Sequence, residues 1–161
     1  MESIKLLLAH SDRRISNQIE VAVLDVCYDR AAVQSSRTCR LDELSHHGGL
    51  WDYDLIVVGS ENLYRDRNHQ SWASVDQVAD AIANIRLHSS SPIIAYAASE
   101  ENCEALLQAG ADVVLDNPLN SEQLKRELRS LLNWSEVVET SNRWPGFGSI
   151  LKSFQKDRVA G

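Results

Sequence analysis

Acidic side chains placed just past apolar runs are the first candidates for chemistry in this sequence. Asp12 follows the run Ile4–Ala9, Glu61 follows the run that ends at Gly59, and Asp116 follows Asp112–Leu115. Three carboxylates near one crevice could share a divalent cation, which takes hard oxygen ligands. The competing reading, and the favoured one, makes Asp12 a helix cap and the other two solvated loop acids, the usual place for charged residues. His46 and His47 offer imidazoles, but helical neighbours face different ways and no other His or Cys stands at ligand spacing. Cys27, Cys39 and Cys103 are odd in number and lack any C-x-x-C pair. They suit a reduced, cytoplasmic setting, with Cys103 as a small buried hydrophobe in mid-helix. No G-x-G-x-x-G or G-x-x-x-x-G-K-[ST] follows an apolar run, and the D-x-H-x-x-G pattern of cobalamin sites is absent. No cofactor, metal or catalytic residue is therefore expected.

The elements that would position such groups follow from composition and periodicity. The chain has 161 residues, 43% of them apolar and 24% charged, enough for one domain with a real core plus an appendage. A net charge of −7 argues against a nucleic-acid surface. No apolar run approaches the roughly 18 residues of a membrane span. The N-terminus enters a strand pattern directly, without the basic start of a signal peptide.

Ile4–Ala9 reads as a buried strand, His10-Ser11-Asp12 as a turn, and Ile15, Ile19, Ala22, Val23 and Val26 as a helix face. Ala31–Ser35 is a second strand. Leu41 and Leu44 begin a short helix stopped at Gly48-Gly49. Tyr53–Val58 is a third strand, and the polar segment 61–72 a long surface loop. Ser74 with Gln77 forms a capping box ahead of a helix through Ile85. Pro92–Ala98, Ser99–Ala109 closed by Gly110, Asp112–Leu115, and a helix capped by Asn120 and carrying Leu124, Leu128, Leu131 and Leu132 complete the alternation. Five strand–helix units with right-handed crossovers predict an α/β fold, an open parallel sheet of order 2-1-3-4-5. Ligands in such sheets bind beyond the carboxyl ends of strands 1 and 3, here near His10 and Gly59.

The stretch Pro92-Ile-Ile-Ala-Tyr-Ala-Ala98, followed by Gln108-Ala-Gly-Ala-Asp112 and Pro118, resembles the C-terminal half of a response-regulator receiver domain. That family's usual pattern is P-I-I-x-L-T-A, then A-G-A-D-D-Y-L-x-K-P, and the resemblance runs from Ile4 to near Asn133. It implies a flavodoxin/CheY-like (βα)5 domain over residues 1–133. A working receiver moves a phosphoryl group onto an aspartate with the help of Mg²⁺. By the resemblance its acid pair falls on His10 and Ser11, its acceptor on Gly59, its hydroxyl on Ala97 and its lysine on Asn117. All five differ from the family, and the aromatic switch position falls on Val114. A slip of one residue would put Ser60 at the acceptor position, where a serine without a base is a poor nucleophile. The resemblance also implies a cis bond at Asn117-Pro118.

The expectation is a non-phosphorylated pseudo-receiver, not an enzyme, that serves as a protein–protein interaction module or adaptor in bacterial signalling. Receiver partners commonly dock on the face made by the fourth helix, fifth strand and fifth helix. Here that face would carry Glu101, Glu104 and Gln108 beside Lys125, Arg126 and Arg129, a charge pattern that could pair two copies of the chain. Residues 134–161 form a separate extension with large apolar groups at Trp134, Trp144, Phe147, Ile150, Leu151 and Phe154. These could fold back on the body or dock on a protein partner, where tryptophan is enriched at hot spots. The alternatives are a subunit of a larger assembly anchored by this tail, and a small flavodoxin-like ligand-binding protein.

Overall fold

Short runs of Leu, Ile and Val become parallel strands here because the central ones are covered on both faces. The computed structural model describes residues 2–50, 53–116 and 120–132, with the backbone alone over 46–50. β1 (Glu2–Ala9), β2 (Ala31–Thr38), β3 (Leu55–Gly59), β4 (Ile93–Ala97) and β5 (Val113–Asp116) form one parallel sheet in the order β2-β1-β3-β4-β5. This is the flavodoxin/CheY-like arrangement that the strand–helix alternation predicts. β3 and β4 are buried at every position. β2, at an edge, alternates in exposure. Ala9 pairs with Val58 and Gly59 with Tyr96, so β1, β3 and β4 end together and open one crevice.

The intervening helices are α1 (Arg13–Cys27), α2 (Leu41–Leu50), α3 (Val75–His88), α4 (Glu100–Ala109) and α5 (Ser121–Leu131). Their starts follow the expected caps. Asp12 accepts from the Arg14 amide at 2.8 Å. Ser74 and Gln77 close a full capping box, and Ser99 accepts from the Asn102 amide. Asn120 accepts from the Gln123 amide at 3.0 Å. α4 ends at Gly110, whose φ of 125° is the left-handed conformation that glycine tolerates.

One expectation fails at α2, which continues through Gly48-Gly49 to Leu50. Glycine lowers helix propensity by about 1 kcal/mol but ends a helix only where the backbone turns left-handed. β2 likewise runs on to Thr38, beyond the expected Ser35. β5 lies one residue further on than expected, and Asp112 closes its start against β4: its backbone N–H donates to the Ile93 carbonyl at 2.9 Å, while its carboxylate accepts from the Ile93 amide at 2.8 Å and pairs with Arg86. Arg86 also donates to the carbonyls of Gly110 (2.8 Å) and Ser91 (2.6 Å), clasping the edge of the sheet opposite the crevice.

The core follows strand alternation. Leu7, Ala9, Ile56, Val58, Ile93, Ala95 and Ala97 pack with Leu44, Val78, Ile82, Ile85 and Leu106 of α2, α3 and α4. The alternate strand residues Leu6, Leu8, Val57, Ile94 and Tyr96 face the other way and are buried too, as are Ile19, Ala22, Val23 and Val26 of α1. Two units divide the chain, Met1–Leu124 and Lys125–Gly161. Within the second, Leu128 is buried while Arg126 and Arg129 are exposed. The expected boundary after Asn133 and the extension 134–161 lie outside the described residues.

Candidate functional site

The crevice is built by the first residues after β1 and β3. His10 continues β1, its N–H donating to the Thr38 carbonyl at 3.0 Å. Its ring is buried, and Nδ1 accepts the Asp12 amide at 2.9 Å, which leaves the proton of the neutral imidazole on Nε2. Burial holds the imidazole pKa below the ordinary histidine value, against the opposing pull of the Asp12 charge. The ring lies directly over Gly59. A Cβ at 59 would fall 2.2 Å from His10 Cδ2 and 2.9 Å from Nε2. His10 and Gly59 are thus one packing unit: the ring takes the volume that any side chain at 59 would need.

The neighbouring loops are tied to this pair. Ser11 N–H donates to the Asn62 carbonyl at 2.8 Å, and Asn62 N–H to the Gly59 carbonyl at 3.0 Å. Ser60 is fully buried, and its hydroxyl donates to the Tyr96 carbonyl. That hydroxyl is a structural donor between β3 and β4. Tyr96 itself is buried, its phenol has no hydrogen-bond partner among the described residues, and burial pushes its pKa well up.

Ala97 ends β4, buried and without a hydroxyl. Beyond it lies the largest departure from the sequence reading. Glu61, expected as a solvated loop acid, accepts the Ala98 amide at 3.1 Å and the Asn102 side-chain amide at 2.7 Å. The signal for this was available: an acid two residues past a strand end, and an Asn one turn into a following helix. Of the other two acids, Asp12 is the α1 cap, 3.9 Å from the Arg14 guanidinium, and Asp116 is exposed at the end of β5. Among the described residues, no three His, Cys, Asp or Glu side chains converge as a cation site. Asn117, and with it the Asn117-Pro118 bond, lies outside the described residues.

Segment 61–73 is more ordered than a polar surface loop. Tyr64 bridges to Arg40 in parallel and to Trp72 in antiparallel fashion, while Leu63 and Ala73 are buried beneath. The Tyr64 ring stacks on His69 (centroids 4.3 Å apart) and on Trp72 (4.6 Å), and Trp72 remains 55% exposed. Cys39 Sγ lies 3.8 Å from His69 Nε2. Cys27 is buried, and Cys103 is half-buried against the core rather than sealed inside it.

The partner candidates fall on separate elements. Glu101, Glu104 and Gln108 are exposed on α4, and Arg126 and Arg129 are exposed and Lys125 half-exposed on α5. Trp134, Trp144, Phe147, Leu151 and Phe154 lie outside the described residues. No helix among the described residues is long and apolar enough to cross a membrane.

The fold defines a class: five parallel strands in this order, with a crevice at the ends of β1 and β3, form the architecture of response-regulator receiver domains. The receiver domain of a sensor histidine kinase from Pseudomonas aeruginosa, with magnesium coordinated in its active-site cleft, superposes with a TM-score of 0.60. It is 18% identical and the match covers 81% of this chain and 98% of that one. A two-component response regulator from Clostridium difficile gives 0.61 at 17% identity, covering 81% and 97%. The pilus assembly protein CpaE from Caulobacter crescentus gives 0.59 at 14%, covering 80% and 98%. No protein-family model and no curated protein matches the sequence.

Proposed function

We propose that this chain is a pseudo-receiver: a receiver-like signalling module that takes no phosphoryl group, catalyses no reaction and acts in the cytoplasm by binding a protein partner. The observation that carries this reading is the His10 ring seated over Gly59. A receiver needs a carboxylate at that point, and here the backbone offers no side chain while an imidazole takes the space. Ser11 in place of a second acid, and Ala97 in place of a hydroxyl, support the same reading. So does Ser60, whose hydroxyl is committed to the Tyr96 carbonyl. With the chemistry gone, what remains for selection is surface, and the exposed acids of α4, the bases of α5 and the aromatic extension are the candidate contacts.

The test has two parts. Incubation with acetyl phosphate and Mg²⁺ is expected to leave the intact mass unchanged; a phosphoryl group on an aspartate would overturn the reading. Affinity capture from the native extract is expected to retain a protein partner with the full chain and to lose it on removal of 143–161. Capture undiminished by that truncation would move the contact onto the body.

A further inference from the structure

Five large apolar side chains stay exposed among the described residues, and three of them share one face of α1. Val21 is 62% exposed, Leu24 47%, and the C-cap Tyr28 77%. Arg14, Val21 and Tyr28 stand seven residues apart, with Leu24 between the last two. That is the spacing of a seam that meets another helix at a shallow angle. Glu20, on the flank of the seam, is turned onto the edge strand β2, where Ser35 donates to it at 2.7 Å and Arg37 pairs with it. The seam is left clear.

The charges along α1 run against its own dipole. Arg13 and Arg14 occupy the first turn, where no acid stands, and Asp25 lies in the last turn, where no base stands. Cations suit a helix C-terminus and anions its N-terminus, so both placements are unfavourable to the helix alone. The cap Asp12, 3.9 Å from Arg14, offsets part of this. A second α1 running antiparallel reverses the sign. About a two-fold axis through Val21, Arg14 lies about 10 Å to one side, with Asp25 about 6 Å and Tyr28 about 10 Å to the other, at 1.5 Å of rise per residue. Arg14 of the second copy then comes opposite Asp25 and Tyr28, while Val21 and Leu24 meet their own copies. A parallel pair would instead set Arg14 on Arg14 and Asp25 on Asp25.

We infer that the outer face of α1 pairs with α1 of a second copy of this chain, antiparallel about a two-fold axis. Val21 and Leu24 form the centre, and Arg14 meets Asp25 at both ends. Such self-complementarity is what an isologous contact requires. A single helix face is smaller than the roughly 800 Å² per partner of a standard interface, so the pair is weak and forms only as concentration rises. This goes beyond the pseudo-receiver reading and is independent of it. Intact-mass phosphorylation reports on the crevice alone, and the exposed charges of α4 and α5 lie on other elements.

Sedimentation equilibrium of the full chain, over a wide range of concentration at low and high salt, measures the pairing. A monomer–dimer equilibrium that weakens with salt is expected. Val21→Glu, at an exposed position, should weaken it by about tenfold or more by setting two carboxylates at the axis. Arg14→Glu and Asp25→Arg should each weaken it by about tenfold, because like charges then face each other at both ends. Mixed together, those two variants should pair about as tightly as the wild type, since both ends then join opposite charges. Should Val21→Glu fail to fold, the mixed charge variants carry the test. A chain monomeric throughout, a dimer that none of these changes weakens, or a mixture no tighter than its components would each overturn the inference. A dimer lost instead with Glu101→Lys would place the contact on α4 and overturn it too. So would a full-length monomer that dimerises only without residues 134–161, which would make the chain's own extension the cover of α1.

Discussion

Adding a single methyl group at residue 59 tests the packing at the centre of the crevice. Gly59→Ala places a carbon 2.2 Å from His10 Cδ2 and 2.9 Å from Nε2, well inside contact distance. The ring has little room to yield, since it is buried, its Nδ1 is bound to the Asp12 amide and the backbone that carries it is bound to Thr38. Gly59 does not adopt a left-handed backbone, which among the described glycines belongs to Gly110. Without the ring, glycine-to-alanine here would therefore gain about 0.4–1 kcal/mol from a stiffer unfolded chain. With it, overpacking should cost about 1–3 kcal/mol and reverse the sign. His10→Ala alone should also destabilise, by about 1–2 kcal/mol, as it leaves the Asp12 amide without its acceptor and opens a void. In the double variant the methyl enters the vacated space, so the combined loss should fall short of the sum by about 1 kcal/mol or more. Urea unfolding of the four proteins at pH 8, where His10 is neutral, measures the cycle. A neutral Gly59→Ala, or losses that add within about 0.5 kcal/mol, would refute the interlock.

Three further outcomes are expected. Because burial lowers the His10 pKa, the unfolded chain binds the proton first, and stability should fall as pH drops below about 6.5. His10→Gln should flatten that part of the profile, and an unchanged slope would count against the assignment. Among the cysteines, Cys39 should react first with an aromatic disulfide reagent: it lies beside His69, whereas burial pushes the Cys27 thiol up, and burial with Asp116, Glu100 and Glu104 pushes up Cys103. Mass mapping that finds Cys27 or Cys103 labelled first refutes this. Tyr96→Phe removes a buried hydroxyl that has no partner among the described residues and should raise stability by about 1 kcal/mol, a few degrees in Tm by calorimetry. A lower Tm would mean that the phenol has a partner worth keeping.

The sheet and its order were legible because β3 and β4 are apolar throughout, β1 is so from Leu6 to Ala9, and four of the five helix starts carry a side-chain cap. Asp12, Ser74, Ser99 and Asn120 all sit where expected. The end of α2 was not, since a Gly-Gly pair stops a helix only when tertiary packing lets the chain turn. At the crevice, the resemblance set Gly59 at the acceptor position, but residue types did not reveal what lies over it. That His10 fills the space over Gly59, and that Glu61 reaches Ala98 and Asn102, are facts of three-dimensional approach between residues far apart in the chain. The stack of His69, Tyr64 and Trp72 was not legible for a simpler reason: a polar run hides one bridge from Tyr64 to Arg40 and another from Tyr64 to Trp72.

The seating of His10 over Gly59 also bears on the order in which mutations can be accepted. A single change of Gly59 to Asp meets the imidazole before it can present a carboxylate, so that route to an acid begins with a less stable protein. Exchanging His10 first for a smaller residue opens the space but leaves the chain carrying a void, with no function yet gained. Each step alone runs downhill in stability, and only the pair supplies both room and carboxylate. The crevice therefore sets an evolutionary barrier, and random drift should return chains that vary on α4 and α5 far more readily than chains that gain an acid at 59.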